Sequence, residues 1–363
     1  MSQPKIIISG GGTGGHIFPA IAIANEIKSR YPRADILFVG ALGKMEMDKV
    51  PAAGYRIEGL PITGLQRKLS LSNLLLPFRL LSSIMKAGRV IKNFKPDVVV
   101  GVGGYASAAV LYAATRRKIP TLIQEQNSYA GLTNKWLGKK VNRVCVAYEN
   151  MQQFFPEDKI VITGNPVRKE ITQALSITPE EARKKLGFNP EQKLILSVGG
   201  SLGARTINHS IKNNLSALDN TNIQLLWQTG QFYKADTEGK MNVQAQQFIS
   251  DMTTAYAAAD IVISRAGAIS ISELSTLGKA CILVPSPNVA EDHQTKNAMA
   301  LSEKNAAVLI RDAEANERLL QTAIALVDNE TEKKKLSDNI SKFAKPDALV
   351  NIVDQIKQLT KWT

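Results

Sequence analysis

Three glycine-rich turns, at residues 10–15, 101–104 and 199–203, each follow a short apolar run and lead into a helical pattern. A chain that repeats strand, glycine turn and helix has few ways to fold. Each crossover helix carries the chain back to the same sheet edge, so the strands run parallel and the crossovers are right-handed. Lys5-Ile6-Ile7-Ile8-Ser9 reads as a strand buried on both faces, followed by the first turn and a helix over 19–30. Further strands are expected over 35–39, 97–101, 119–124 and 143–147, then over 193–197, 223–228, 260–264 and 281–284. Helices are expected over 106–115, 179–186 and 269–277, with a last one over 348–362. The fold class is therefore α/β, with doubly wound parallel sheets.

The pattern starts twice. Gly164-Asn165-Pro166-Val167 punctuates the chain between the two runs, and 363 residues suit two domains of about 100–200 residues each. The expected domains are 1–166 and 167–345, with the helix of 346–363 packing back on the first. Ligands of such sheets bind at the carboxyl ends of the strands, so two such domains facing one another would hold theirs in a cleft.

Charge separates the halves as well. Residues 1–166 hold 22 Lys and Arg against 10 acids, whereas 167–363 hold 23 against 22, so almost all of the net +13 lies in the first half. Residues 59–96 contain no acid. There Arg67, Lys68, Arg79, Lys86, Arg89, Lys92 and Lys95 alternate with leucines, Phe78, Ile84 and Met85. Cations among apolar side chains fit an anionic membrane surface, a solvated face over a core helix, or nucleic acid. The scarcity of aromatic residues among these charges weighs against nucleic acid. No span of the membrane is expected. The 18 uncharged residues between Asp97 and Arg116 are broken by Gly101, Gly103 and Gly104 and read as strand, turn and helix. Residues 1–8 lack the apolar run of a secretory signal, and Cys145 and Cys281 are far apart, so reduced thiols inside the cell are expected. With three histidines and no CxxC, a structural zinc site is not expected either.

Gly10-Gly11-Gly12-Thr13-Gly14-Gly15-His16 satisfies GxGxxG, which brings a nicotinamide or flavin oxidoreductase into view. That chemistry needs an acid at the end of the second strand for the ribose, and here Val39-Gly40-Ala41-Leu42 offers none. GxxxxGK is absent as well, which disfavours a P-loop enzyme. His16 stands where loop meets helix, able either to bond its own loop or to move a proton. His209 reads as surface, and His293 lies in the polar cluster Glu291-Asp292-His293-Gln294. The segment 264–273 sends small residues into a helix whose first amides lack intrahelical partners, a ready diphosphate site needing no metal. Glu273 could hold ribose hydroxyls or, three residues after Ser270, close a capping box.

Taken together these motifs resemble the MurG-type glycosyltransferases of peptidoglycan synthesis (glycosyltransferase family 28, GT-B). The resemblance runs over most of the chain: Gly11-Gly12-Thr13-Gly14-Gly15-His16, Gly101-Val102-Gly103-Gly104-Tyr105, Glu125-Gln126-Asn127, Gly131-Leu132-Thr133-Asn134, Gly164-Asn165-Pro166-Val167-Arg168, Gly199-Gly200-Ser201-Leu202-Gly203 and the segment ending at Glu273. It implies two Rossmann-like domains, the first for the acceptor and the second for the nucleotide sugar. The implied reaction is inverting transfer of N-acetylglucosamine from UDP-N-acetylglucosamine to the C4 hydroxyl of undecaprenyl-diphospho-muramoyl-pentapeptide, with roles in cell wall biogenesis, cell shape and division. Its place would be the cytoplasmic face of the cell membrane, peripherally, which gives the basic apolar stretch a purpose.

Residue by residue, the resemblance implies sugar contacts from Thr13, Gly14, Gly15 and Asn127 and diphosphate contacts from Arg168 and Ser201. Ile249 would present backbone to uracil, Ala268, Ile269 and Ser270 would cradle phosphate, Glu273 would hold ribose and Gln294 would reach the transferred sugar. His16 is the candidate base and Glu125 the second choice. No DxD occurs, and no cofactor or nucleic-acid partner is expected. Two positions depart from the family pattern: Gln124 stands where it often has histidine, and His293-Gln294 where it often has Gln-Gln.

Overall fold

Isoleucine dominates the first strand pattern, and Ile6, Ile7 and Ile8 are all fully buried. Such β-branched runs fit a pleated surface that is covered on both sides. The computed structural model describes residues 3–62, 76–200, 202–237, 239–360 and 362. It divides into two compact units, Met1–Val167 with Pro346–Thr363, and Arg168–Lys345.

The first unit runs β1 (Lys5–Gly10), α1 (Gly14–Arg30), β2 (Asp35–Ala41), α2 (Glu46–Ala52), β3 (Arg56–Leu60), α3 (Leu76–Phe94), β4 (Val98–Gly103), α4 (Tyr105–Thr115), β5 (Thr121–Glu125), α5 (Leu132–Gly138), β6 (Arg143–Val146) and β7 (Ile160–Ile162). Among the described residues its strands form one parallel sheet in the order β3-β2-β1-β4-β5-β6-β7. Alternation along the strands sorts the core into two layers. Ile7, Val39, Val99 and Ile123 pack with Ala87 and Ile91 of α3 and Val110 of α4. Ile6, Ile8, Phe38 and Val100 face the other way, against Ile23 and Ile27 of α1.

The second unit runs α6 (Lys169–Thr172), α7 (Pro179–Lys185), β8 (Lys193–Val198), α8 (Arg205–Asn214), β9 (Ile223–Gln228), β10 (Val243–Gln246), α9 (Met252–Ala258), β11 (Ile261–Ser264), α10 (Ala268–Leu277), β12 (Cys281–Leu283), α11 (His293–Ser302), β13 (Val308–Leu309), α12 (Ala315–Asp328) and α13 (Glu330–Ser341). Its sheet is parallel in the order β10-β9-β8-β11-β12-β13. Both units are thus the doubly wound, Rossmann-like α/β fold that the glycine turns demand. The chain then returns to the first unit as α14 (Ala348–Gln358), burying Ile352, Val353 and Ile356 in the layer that contains α1. Arg30 pairs with Asp354 at 2.7 Å, and Trp362 meets Tyr31 edge-on with its indole donating to Asp97 at 3.2 Å.

The 18-residue uncharged stretch is divided between β4 and α4. No helix among the described residues is long and apolar enough to cross a membrane. Both cysteines are buried as free thiols and burial pushes each up to about 12, so neither offers a thiolate near neutrality.

Ile352→Ala should open a cavity in the layer shared by α1 and α14. The expected loss is ~2–5 kcal/mol from the first unit. A fall in the denaturation midpoint of that unit is the outcome to measure.

Candidate active site

In each sheet the order reverses once, between β1 and β4 in the first unit and between β8 and β11 in the second. At such a switch point neighbouring crossovers leave on opposite faces, and a crevice opens beyond the strand ends. The three glycine-rich turns and the small-residue segment after Ser264 lie at the ends of these four strands, with Gly101 and Gly103 inside β4 itself. Sequence spacing has therefore concentrated permissive backbone at the two places where the topology leaves room for a ligand.

In the first unit the turns after β1 and β4 interlock. Gly11 N–H donates to Gly103 O at 3.3 Å, and the His16 ring packs on Gly103 so closely that a Cβ there would come within 2.6 Å of it. Gly103 also sits at φ +118, a conformation that favours glycine. His16 Nδ1 lies 3.0 Å from Gly11 O. A carbonyl only accepts, so Nδ1 carries the hydrogen and the neutral ring has its lone pair on Nε2. Thr13 caps α1 in extended conformation without a side-chain bond, and no acid occupies the first turn. The amides of Gly14 and Gly15 accordingly head the helix without an intrahelical acceptor.

Two buried carboxylates fix this ground. Glu46, fully buried, accepts from Gly12 N–H at 2.9 Å and Ala41 N–H at 3.0 Å. Glu125, at the end of β5, accepts from Asn127 N–H at 3.0 Å, Asn127 Nδ2 at 3.2 Å, Gly131 N–H at 3.3 Å and Asn134 Nδ2 at 2.8 Å. Gln124, in the place where the family pattern often has histidine, joins a buried amide ladder, donating to Asn165 at 3.0 Å while Asn165 donates to Gln126 O at 3.1 Å.

In the second unit, α10 begins at Ala268 with Gly267 as its cap, which has no side chain to bond the first amides, and no acid lies in the first turn. The amides of Ala268, Ile269 and Ser270 form the open helix end. Glu273 stands one turn further, buried, and accepts from Arg168 at 3.1 Å on one oxygen and from the Tyr256 hydroxyl at 3.1 Å on the other. The capping-box alternative for Glu273 does not hold, because Gly267 and not Ser270 is the cap. Burial raises the Glu273 carboxyl above its ordinary range, with Arg168 and Tyr256 pulling it back, and burial beside that carboxylate drives Tyr256 well up.

Ile249 has its amide taken by Gln228 Oε1 at 2.9 Å, while Gln228 Nε2 donates to Gly200 O at 3.0 Å, so one side chain joins two loops. Gly203 and Gly230 meet there backbone to backbone, a Cβ on Gly203 falling 2.0 Å from Thr229 O. Gln294 accepts from Ser286 N–H at 2.9 Å. Just before it Glu291 and Asp292 sit at φ +55 and +51, consecutive left-handed residues that are not glycine. Such strain costs about 1–3 kcal/mol per residue and collects where a loop shape is needed.

The structure brings Thr13, Gly14, Gly15, His16, Glu125 and Asn127 to the strand ends of the first sheet, and Arg168, Ile249, Ala268, Ile269, Ser270, Glu273 and Gln294 to elements of the second unit. Ser201 lies outside the described residues. His209 is exposed on α8, its ring 5.9 Å from that of Tyr233. Glu46, Gln228 and Tyr256 escape a reading of the sequence. Only Glu46 carries a signal, as an acid soon after Gly40 at the end of the second strand.

The signature of the glycosyltransferase family 28 N-terminal domain matches residues 6–146, and that of the family 28 C-terminal domain matches 194–352. The UDP-N-acetylglucosamine--N-acetylmuramyl-(pentapeptide) pyrophosphoryl-undecaprenol N-acetylglucosamine transferase of Cytophaga hutchinsonii is 57% identical over 98% of this chain and 96% of its own. The protein of the same name from Parabacteroides distasonis is 55% identical over 99% of each chain. Among solved structures, Acinetobacter baumannii MurG matches with a TM-score of 0.76 at 28% identity, covering 98% of this chain and 100% of its own.

Tyr256→Phe should leave one Glu273 oxygen without its buried donor, at a cost of ~1–3 kcal/mol to the second unit. An acid whose value is raised on folding takes up protons as it folds. Its contribution is most favourable at low pH and fades as pH rises from the ordinary glutamate range through the folded value. The deficit of the variant should therefore be larger at pH 7.5 than at pH 5, measured by denaturation at both.

Proposed function

This chain belongs to glycosyltransferase family 28, and from that premise we propose that it transfers N-acetylglucosamine from UDP-N-acetylglucosamine to the C4 hydroxyl of undecaprenyl-diphospho-muramoyl-pentapeptide, with inversion. The observation that carries the reading is the open N-terminus of α10, with the buried Glu273 one turn behind it. Departure of UDP develops negative charge on the diphosphate, and preorganised amides at a helix end stabilise such charge without reorganising. Arg168, part-exposed beside Glu273, adds a cation to the same side. A carboxylate has about four acceptor positions, and Arg168 and Tyr256 occupy two at Glu273, so ribose hydroxyls can still donate to it. With its amide given to Gln228, Ile249 would meet the uracil imide through its carbonyl. Gln294, its oxygen bound to Ser286, would turn its NH₂ to a sugar hydroxyl, and Ser201 would serve the diphosphate.

In the first unit Thr13, Gly14, Gly15 and Asn127 are assigned to the sugars. The acceptor oxygen attacks the anomeric carbon, the bond to the UDP oxygen breaks, and the acceptor proton passes to His16 Nε2. His16 is favoured over Glu125 because the latter holds four donors already; a change of charge there would release its loop. An oxidoreductase on this fold finds no support, since β2 ends Val39-Gly40-Ala41 without a ribose acid.

The reading also places the protein on the inner surface of the cell membrane, in service of cell wall growth, shape and division. Along α3 the exposed Phe78, Leu81 and Met85, and after them the exposed Arg89 and Lys92, follow one another at spacings of three and four, a single stripe. Ser83, Ala87 and Ile91 hold the other face inward. Apolar anchors followed by cations suit an anionic lipid surface. Lys86 belongs to the fold instead, donating to Gly59 O at 2.7 Å. The part of the basic stretch over residues 63–75 lies outside the described residues.

Two variants test the chemistry together. Glu273→Ala should weaken UDP binding by about tenfold or more, the scale of a charged hydrogen bond lost, in calorimetric titration. His16→Ala should leave that affinity within twofold and depress turnover about 10²–10⁴-fold. Binding of NADH or short DNA in place of UDP-N-acetylglucosamine would refute the assignment.

For the surface, Arg89→Glu with Lys92→Glu should weaken binding to anionic vesicles roughly 30-fold, at about 1 kcal/mol per cation. Unaltered, salt-independent sedimentation with the vesicles would remove α3 from the membrane.

A further inference from the structure

Glu46 is fully buried, and both its oxygens are spent on backbone: Oε1 accepts from Ala41 N–H and Oε2 from Gly12 N–H. Two glycines make its room. A Cβ on Gly11 would fall 2.1 Å from Oε1, and one on Gly40 would fall 2.5 Å from Cγ. A fold that hides a carboxylate between the ends of its first two strands needs that charge for something, since burying it unpaired is costly. The amide it grips at Gly12 belongs to the same peptide unit as the Gly11 carbonyl, and that carbonyl is the one bonded to His16 Nδ1 at 3.0 Å.

We propose that Glu46 is a positioning residue for His16, acting through the single peptide unit between Gly11 and Gly12. The inference rests on the reading of His16 as proton acceptor. Carboxylate, peptide and imidazole form one chain of hydrogen bonds: Glu46 Oε2 accepts from the Gly12 N–H, and the Gly11 carbonyl of that same amide accepts from Nδ1–H. A peptide is planar and conjugated, so its two ends cannot reorient separately. A carboxylate drawing on the N–H polarises the carbonyl, and bonds in such chains strengthen one another by something like 10–30% each. The result holds the hydrogen on Nδ1 and leaves Nε2 as the ring's accepting nitrogen. Gly103, which admits no side chain beneath the ring, fixes its plane from the other side. Gly12 itself sits at φ +85, a left-handed conformation that the Glu46 bond holds in place. The familiar alternative is a carboxylate bonded directly to histidine. Here the peptide stands between them, which keeps the negative charge out of the ligand's reach while still orienting the ring.

Glu46→Gln keeps the shape but turns an NH₂ toward one of the two backbone donors, so one bond is lost. The expected result is turnover reduced about 10–100-fold, the usual scale for an orienting partner. UDP affinity should stay within twofold and the melting temperature close to that of the parent. The ¹⁵N signals of the His16 ring supply a readout that folding alone does not move. In the parent they should report hydrogen on Nδ1 of the neutral ring, and in the variant a mixture of tautomers. Gly11→Ala displaces the carboxylate from the opposite side and should reproduce both effects, whether or not Glu46→Gln folds. Unchanged ring signals and turnover in a folded variant overturn the proposal. Wild-type turnover by His16→Ala would instead overturn the reading of His16 as base, and is told apart because the ring signals of Glu46→Gln would still shift.

Discussion

A parallel strand ends with backbone groups that its own sheet cannot satisfy, and at a switch point no crossover closes over them. This constraint governs both units. The chain after β1, β4, β8 and β11 must hold its own polar backbone while leaving some of it aimed outward. Glycine allows the approach, as where Gly103 lies against His16 and Gly203 against Gly230. Glycine supplies no bonds of its own beyond the backbone, so each turn recruits a polar side chain from elsewhere. Glu46 serves the first turn, Glu125 the loop after β5, and Gln228 the turn after β8. Unanchored turns would sample other conformations at a cost of order 1–2 kcal/mol per residue fixed, and the outward amides would lose their aim.

The two units answer the constraint with different chemistry. The first, which carries nearly all of the positive excess, keeps its anchoring carboxylates fully inside and bonded to neutral amides. Along α3 it shows cations and apolar side chains in one stripe. The second is nearly balanced in charge and brings an arginine, a tyrosine and a glutamate together behind the open end of α10. A buried carboxylate held by neutral donors is a fixed fixture of the loop. One held by an arginine that is itself part-exposed can exchange partners when hydroxyl donors arrive, because its bonds to Arg168 and Tyr256 leave acceptor positions open.

Much of the fold was legible in the sequence for a simple physical reason: central parallel strands must be apolar on both faces, so β1, β4, β8 and β11 announce themselves. The edge strands do not. β3, β7, β10 and β13 are short and partly exposed, with Arg56 and Glu58 alternating in β3, and their burial patterns lack the apolar run. The site divides along the same line. Glycine turns and the residues embedded in them could be read because permissive backbone is rare in a run of apolar residues. Tyr256 and Gln228 could not, since each reaches its loop from a neighbouring element and nothing local marks it. The expectation that Ser270 and Glu273 might cap a helix failed because spacing of three is satisfied equally by residues well inside the first turns.

The strained pair Glu291 and Asp292 shows what the same logic costs where no glycine is available. Two left-handed residues in succession oppose folding by a few kcal/mol in total, comparable with a large share of a domain's net stability. Local bonds offset part of it: Thr295 donates to Asp292 at 2.7 Å and Lys296 to the Glu291 carbonyl at 3.0 Å, both from the first turn of α11. Those bonds set the start of α11, and the start of α11 sets Gln294 against Ser286. Glycine at either position would relieve the strain but would release the chain to many more unfolded conformations, losing the advantage again. The position of Gln294 therefore depends on keeping side chains where the backbone would rather have none, and the helix that follows is what makes that arrangement hold.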